Sequence, residues 1–172
     1  SAGEEMTGYI SLALSAGKNT EITLIYAEAY VQEEHVGPDY VALKKDRLDQ
    51  KNGHLEGYQD YYCVAGLGTE ITPEIYEPFW FRTFRFVQLR IKTGAEPLIL
   101  QHFDYQETGY PLEVSTSVKT SDESLSDIWK ISERTLRRCM HETYEDCPYY
   151  EQLQYIMDSR TQILYTYSVS AD

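Results

Sequence analysis

Alternation with period two governs the chain up to about residue 118. In "GYISLAL", Ile10, Leu12 and Leu14 recur at every second position, which predicts a strand with one buried face. "TEITLIYAEAY" alternates Ile22, Leu24 and Tyr26 with Thr23, Ile25 and Ala27, a run apolar on both sides, as a covered strand should be. "SAGKN" between them reads as a turn. "PFWFRTFRFVQLRIKTG" predicts a further long strand region. Val87, Leu89 and Ile91 fall on one face, Phe84 and Phe86 on the other, and this change of phase predicts a bulge near Phe86. "PLILQHFDYQ" and "PLEVSTSV" complete the expected strands. Residues 31–60 are charged and without clear period, and read as an excursion between strands.

The period then changes to that of a helix. "SDESLSDIWKISERTLRRCM" places Leu125, Ile128, Trp129, Leu136, Cys139 and Met140 on one stripe. Ser121 or Ser124 can cap its start, and Arg134, Arg137 and Arg138 suit its negative end. A second helix is expected from Pro148, a favoured first-turn residue, toward Tyr167. The expectation is a mainly β chain with C-terminal helices. An antiparallel β-sandwich or jelly roll over residues 1–118 precedes a helical part over 119–172.

Composition narrows the function. Hydrophobic residues at 42% and charged residues at 25% are globular proportions. A net charge of −13 argues against a nucleic-acid partner, which needs clustered Lys and Arg. No stretch has the apolar length of a membrane span, and the first residues, "SAGEEMTGYI", show no signal-peptide core. Three cysteines cannot all pair within the chain. Sixteen tyrosines supply rings that can stack on sugars, although tyrosine is also an ordinary strand residue.

The chemistry concentrates in "CMHETYEDCPYYEQLQYIMD". Cys139, His141 and Cys147 lack the paired spacing of a zinc site, and Cys139 falls on the core stripe of its helix, so no metal or other cofactor is expected. Glu142 and Glu145 read as solvated. Glu151 and Asp158, seven residues apart, share a face if one helix carries both, about 10 Å apart along its axis. Asp146 lies just before the expected helix start, where a carboxylate complements the positive end. Tyrosines 144, 149, 150 and 155 surround these acids. Carboxyls among rings are where pKa values move, and one that stays protonated near neutral pH can act as a general acid.

"EDCPYYEQLQYIMD" resembles the active-site segment of bacterial α-L-rhamnosidases, inverting glycoside hydrolases in which a β-sandwich precedes an (α/α)6 barrel. "GEEMTGYISL" and "FRTFRFVQL" resemble strands of that sandwich, and "SDESLSDIWKISERTLRRCMHETYEDCP" resembles the first part of the barrel. The resemblance implies that Glu151 is the general acid. Asp146, which opens the segment with Cys147 and Pro148, and Asp158, which closes it, would bind the sugar, with Tyr150 and Tyr155 walling the pocket. Tyr150 stands where many members have arginine, and "QYIM" where many have a glycine-flanked aromatic; the spacing of the acids is kept. The implied partner is a glycoside or oligosaccharide. The barrel needs more helices than residues 119–172 supply, and the general base would come from a later loop. The chain is therefore expected to be a fragment, inactive alone, whose truncated helical part self-associates. A non-catalytic carbohydrate-binding or scaffolding sandwich is the competing reading, because such folds host many functions.

Overall fold

The computed structural model describes residues 1–36 and 39–170. The chain divides into two compact units, Ser1–Glu107 and Thr108–Asp172. Its order is β1 Met6–Ala16, β2 Glu21–Ala27, β3 Tyr30–Val36, β4 Asp39–Leu43, β5 His54–Leu55, β6 Tyr58–Cys63, β7 Glu74–Tyr76, β8 Arg82–Phe84, β9 Phe86–Lys92, β10 Leu98–Glu107, α1 Ser124–Arg138 and α2 Ile156–Val169. This is the mainly β chain with C-terminal helices that the pattern predicts.

In the first unit every pairing between these strands is antiparallel. One sheet runs β10-β1-β7, with β8 also on β1; a second runs β6-β2-β9; a third runs β4-β3-β5. The alternating residues of β1 and β2 meet in one core. Ile10, Leu12, Leu14, Leu24 and Tyr26 are wholly inaccessible, and Ile22, Val64 and Phe84 nearly so. Ile25 and Ala27 on the opposite side of β2 are buried too, as a strand covered on both faces requires. The turn joining β1 to β2 uses positive φ at Ala16, Gly17 and Asn19. At Gly17 the backbone also passes Leu98 so closely that a β-carbon would lie 2.7 Å from its side chain.

Two strand expectations change. The phase shift at Phe84–Phe86 is a crossing between sheets rather than a bulge. Phe84 pairs with Met6 on β1, Phe86 pairs with Ala27 on β2, and Arg85 between them donates its N–H to Ala27 O at 2.9 Å. Each phenylalanine thus obeys the alternation of its own sheet. The excursion over 31–60, of which 37 and 38 lie outside the described residues, contains β3, β4 and β5. Polar residues such as Gln32, Glu33 and Glu34 hide the alternation there.

Charge cross-links the first unit at the edge of its core. Asp60 on β6 accepts the Tyr26 hydroxyl at 2.9 Å and both forks of the Arg82 guanidinium, at 3.0 and 2.5 Å. Burial pushes the Asp60 carboxyl up, but hydrogen bonds from Arg82, Tyr26 and Tyr76, with the arginine charge, hold it below the usual carboxylate range. Asp60 and Tyr26 belong to one sheet, Tyr76 and Arg82 to the other.

The second unit begins earlier than residue 119. "PLEVSTSV" is extended but joins no ladder. Its Leu112 is buried with Leu136, Met140 and Val169, and Ser115 and Thr116 donate their N–H groups to Val169 O. A β-rich composition did not make a strand because no strand edge accompanies it in that unit. At the start of α1 neither serine is the N-cap: that position is Glu123, which makes no side-chain cap, and Asp122 before it braces the first residue, its Oδ1 accepting the Ser124 N–H at 3.0 Å and hydroxyl at 2.7 Å. Leu136, Cys139 and Met140 are buried as the stripe predicts, whereas Leu125, Ile128 and Ile131 are exposed. No described helix is long and apolar enough to cross a membrane.

Candidate active site

The acidic segment is a loop, and that corrects the helix expected from Pro148. Residues 148–151 make a turn, and α2 starts only at Ile156. Gln152 sits at φ +54°, a left-handed conformation that a continuing helix does not allow. Its N–H donates to Cys147 O at 3.2 Å and its side-chain amide to Pro148 O at 2.8 Å, so the turn is closed on itself. Glu151 and Asp158 therefore do not share a helical face. Glu151 belongs to the closed turn; Asp158 belongs to the first turn of α2, where a carboxylate complements the helix dipole.

Asp146 fastens the loop. Its N–H donates to Leu153 O at 2.9 Å, and its Oδ1 accepts the Leu153 N–H at 3.2 Å. Burial raises its carboxyl pKa, but the N–H groups of Leu153 and Cys147 outweigh this and hold it below the usual range. Asp146 thus stays ionised and clamps residues 146–153, instead of capping a helix. Cys147 adds an internal brace, its Sγ accepting the Glu151 N–H at 3.3 Å. No sequence signal separates that role from an ordinary thiol.

Of the three expected acids, the structure places Glu151 against a ring. The Tyr155 hydroxyl donates to Glu151 Oε2 at 2.7 Å. Its phenol is pushed above the ordinary value first by that hydrogen bond, then by the Glu151 charge, with smaller pushes from Asp146 and Asp158. Glu151, Tyr155 and Asp158 are exposed, so a ligand can reach them. Tyr150 is also exposed; it packs edge-on against the buried Tyr149, with ring centroids 4.7 Å apart.

Glu145 departs most from its solvated reading. It is 3% exposed, and its carboxylate lies 3.0 Å from His141 Nδ1, the two side chains both buried. A Glu four residues after a His in a loop carries no periodic signal, so burial of the pair was not legible. Glu142 is exposed, as expected. A cavity of about 430 Å³ adjoins His141, between Tyr110, Tyr144, Gln154 and Tyr167. None of the three acids lines it. Among the described residues no group of three or more His, Cys, Asp or Glu is placed to hold a metal ion.

Residues 113–171 match the family model of the bacterial alpha-L-rhamnosidase 6 hairpin glycosidase domain. The chain is similar to the crystal structure of a GH78 family rhamnosidase of Bacillus sp. GL1, with 27% identity and a TM-score of 0.69 over 99% of this chain. It spans 16% of the length of that protein. None of the curated proteins matches. The chain is thus rhamnosidase-like both in the sequence of its helical unit and in its fold.

Proposed function

We propose that the chain is part of an inverting glycoside hydrolase that removes terminal α-L-rhamnose, or a related deoxy-sugar, from glycosides. Its similarity to rhamnosidases makes it glycoside-hydrolase-like; the inverting reaction and the residue roles are our reading. One observation carries it: Glu151, at the spacing from Asp146 and Asp158 that the rhamnosidase segment has, is exposed and held by the Tyr155 hydroxyl at 2.7 Å in a loop that Asp146 closes. Glu151 donates the proton to the leaving oxygen. The two aspartates accept sugar hydroxyls. Tyr155 holds Glu151 in orientation, and Tyr150 offers an exposed face to the ring. The second carboxylate, which activates water on the opposite side of the sugar, comes from a part of the protein beyond these residues, because inversion needs a pair about 6.5–9.5 Å apart. The full-length protein should release β-L-rhamnose first from an α-L-rhamnoside, as seen by proton NMR before mutarotation. Release of the α-anomer, or no turnover of any rhamnoside or related deoxy-glycoside, would overturn the reading.

The helical unit also suits further helices. Its α2 turns Ser159 and Thr166 inward and leaves Ile156, Met157, Leu164 and Tyr167 exposed. Of the residues expected to face absent neighbours, Trp129, Leu136, Met140, Leu153 and Ile156, the structure exposes Leu153 and Ile156, half-buries Trp129 and buries Leu136 and Met140 against Leu112 and Val169; Leu125, Ile128 and Ile131 of α1 are exposed as well. Apolar surface of this extent is rarely left bare. The 172-residue chain should therefore self-associate, with light scattering giving a mass above 20.0 kDa that rises with concentration. A strict monomer at all concentrations would contradict this.

A further inference from the structure

We infer that the buried His141–Glu145 pair, together with Gln162 of α2, is a positioning element that sets the carboxylate loop. Glu145 immediately precedes Asp146, and three directions fix it. Its N–H donates to Cys139 O at the end of α1 at 2.8 Å. Its C=O accepts the Gln162 side-chain amide from α2 at 2.6 Å. Its carboxylate meets His141, whose own N–H is tied to Thr143 O at 3.0 Å beside the Met140–Tyr144 bridge. The side chains of His141 and Glu145 are 6% and 4% exposed, so the pair is shielded from water. Removal of either partner strands the other in a shielded site, which is the costly way to break such a pair.

The consequence passes along the chain. The next residue, Asp146, clamps Leu153 from both its N–H and its carboxylate, and Glu151 sits inside the loop so closed. Movement of Glu145 therefore moves the frame that carries Glu151. Glu145 and His141 are not themselves placed to touch substrate; they act through Asp146 and its loop. A displacement near 1 Å at a reacting group can cost about 100-fold in rate.

The inference rests on the reading of Glu151 as general acid, and the test separates the two. In the full-length protein, kcat is measured on an alkyl rhamnoside and on a nitrophenyl rhamnoside for Glu145→Ala, Glu145→Gln, His141→Ala, His141→Asn and Glu151→Gln. Loss of folded enzyme lowers both rates equally and leaves their ratio unchanged. A misplaced acid lowers the alkyl rate more, because a nitrophenolate leaves without protonation. Glu145→Ala and His141→Ala should lower the alkyl rate about tenfold or more and shift the ratio toward the aryl substrate. His141→Asn, which keeps a donor near the Nδ1 position, should restore most of it. Glu145→Gln keeps the side-chain volume and carries the same comparison if Glu145→Ala folds poorly. An unchanged ratio in the Glu145 and His141 variants, beside a shifted ratio in Glu151→Gln, overturns the positioning role alone. An unchanged ratio in Glu151→Gln removes the general-acid reading and the positioning role with it.

Discussion

Glu151→Gln in the full-length protein is expected to lower kcat on an alkyl rhamnoside by about 10²–10⁴-fold, the usual contribution of a general acid. The side chain keeps its size and its acceptor for the Tyr155 hydroxyl, now 2.7 Å away. Only the transferable proton is lost. The effect should therefore fall on kcat more than on KM, and should shrink on aryl glycosides with good leaving groups. Asp146→Asn behaves differently, because Asp146 both carries charge near Tyr155 and accepts the Leu153 N–H. It should raise KM as well as lower kcat. Steady-state kinetics on the purified protein reads both effects. Glu151→Gln with wild-type kcat on the alkyl substrate would end the assignment.

Asp60→Ala should cost about 3 kcal/mol of the stability of the first unit, as expected when a mostly buried ion pair loses one partner. The Asp60 side chain is 13% and the Arg82 side chain 28% exposed, so the lower end of the usual range applies. The substitution leaves the inaccessible Tyr26 hydroxyl and the Arg82 guanidinium without their common acceptor. It also removes a link between the two sheets that share the core. Asp60→Asn keeps an acceptor and should cost less, about 1–2 kcal/mol. The pH dependence follows from the depressed carboxyl. A group whose folded pKa lies below its unfolded value stabilises above the unfolded value, here 3.8, and loses that contribution as pH falls through the folded pKa. Wild type and Asp60→Asn should thus differ most near neutrality and converge in acid. Urea unfolding at pH 7 and pH 3 measures both points, and a neutral-pH difference below about 0.5 kcal/mol for Asp60→Ala would refute the role, since surface substitutions away from such features stay within that margin.

The rhamnosidase-like segment shows where local rules stop. Asp146, Glu151 and Asp158 were legible as a constellation, because their spacing is a property of the chain itself. Their geometry was not. A proline followed by helix-compatible residues predicts a helix, but the left-handed Gln152 closes the turn after one loop, and nothing about a glutamine announces that conformation. The burial of Glu145 was equally hidden. Its partner His141, the N–H it gives to Cys139 O and the amide it receives from Gln162 come together only when α1 and α2 pack.

Local patterning along the chain accounts for the alternation of β1 and β2, the turn between them, and the core stripe at the end of α1. In each, neighbours along the chain decide which side is apolar, and burial simply follows. Tertiary structure decided the rest. Phe84 and Phe86 look like one irregular strand until the chain is seen to change sheets at Arg85. Leu112 looks like part of a strand until its partners prove to be Leu136 and Val169 on helices. Leu125 and Ile128 look like core on the stripe of α1 until the helix is seen to bury Leu136 farther along and leave its first turns exposed. The physical reason is common to all three. A side chain's own pattern sets that it prefers an apolar neighbour, but the partner and the direction are supplied by residues distant in sequence, and local periodicity carries no record of them.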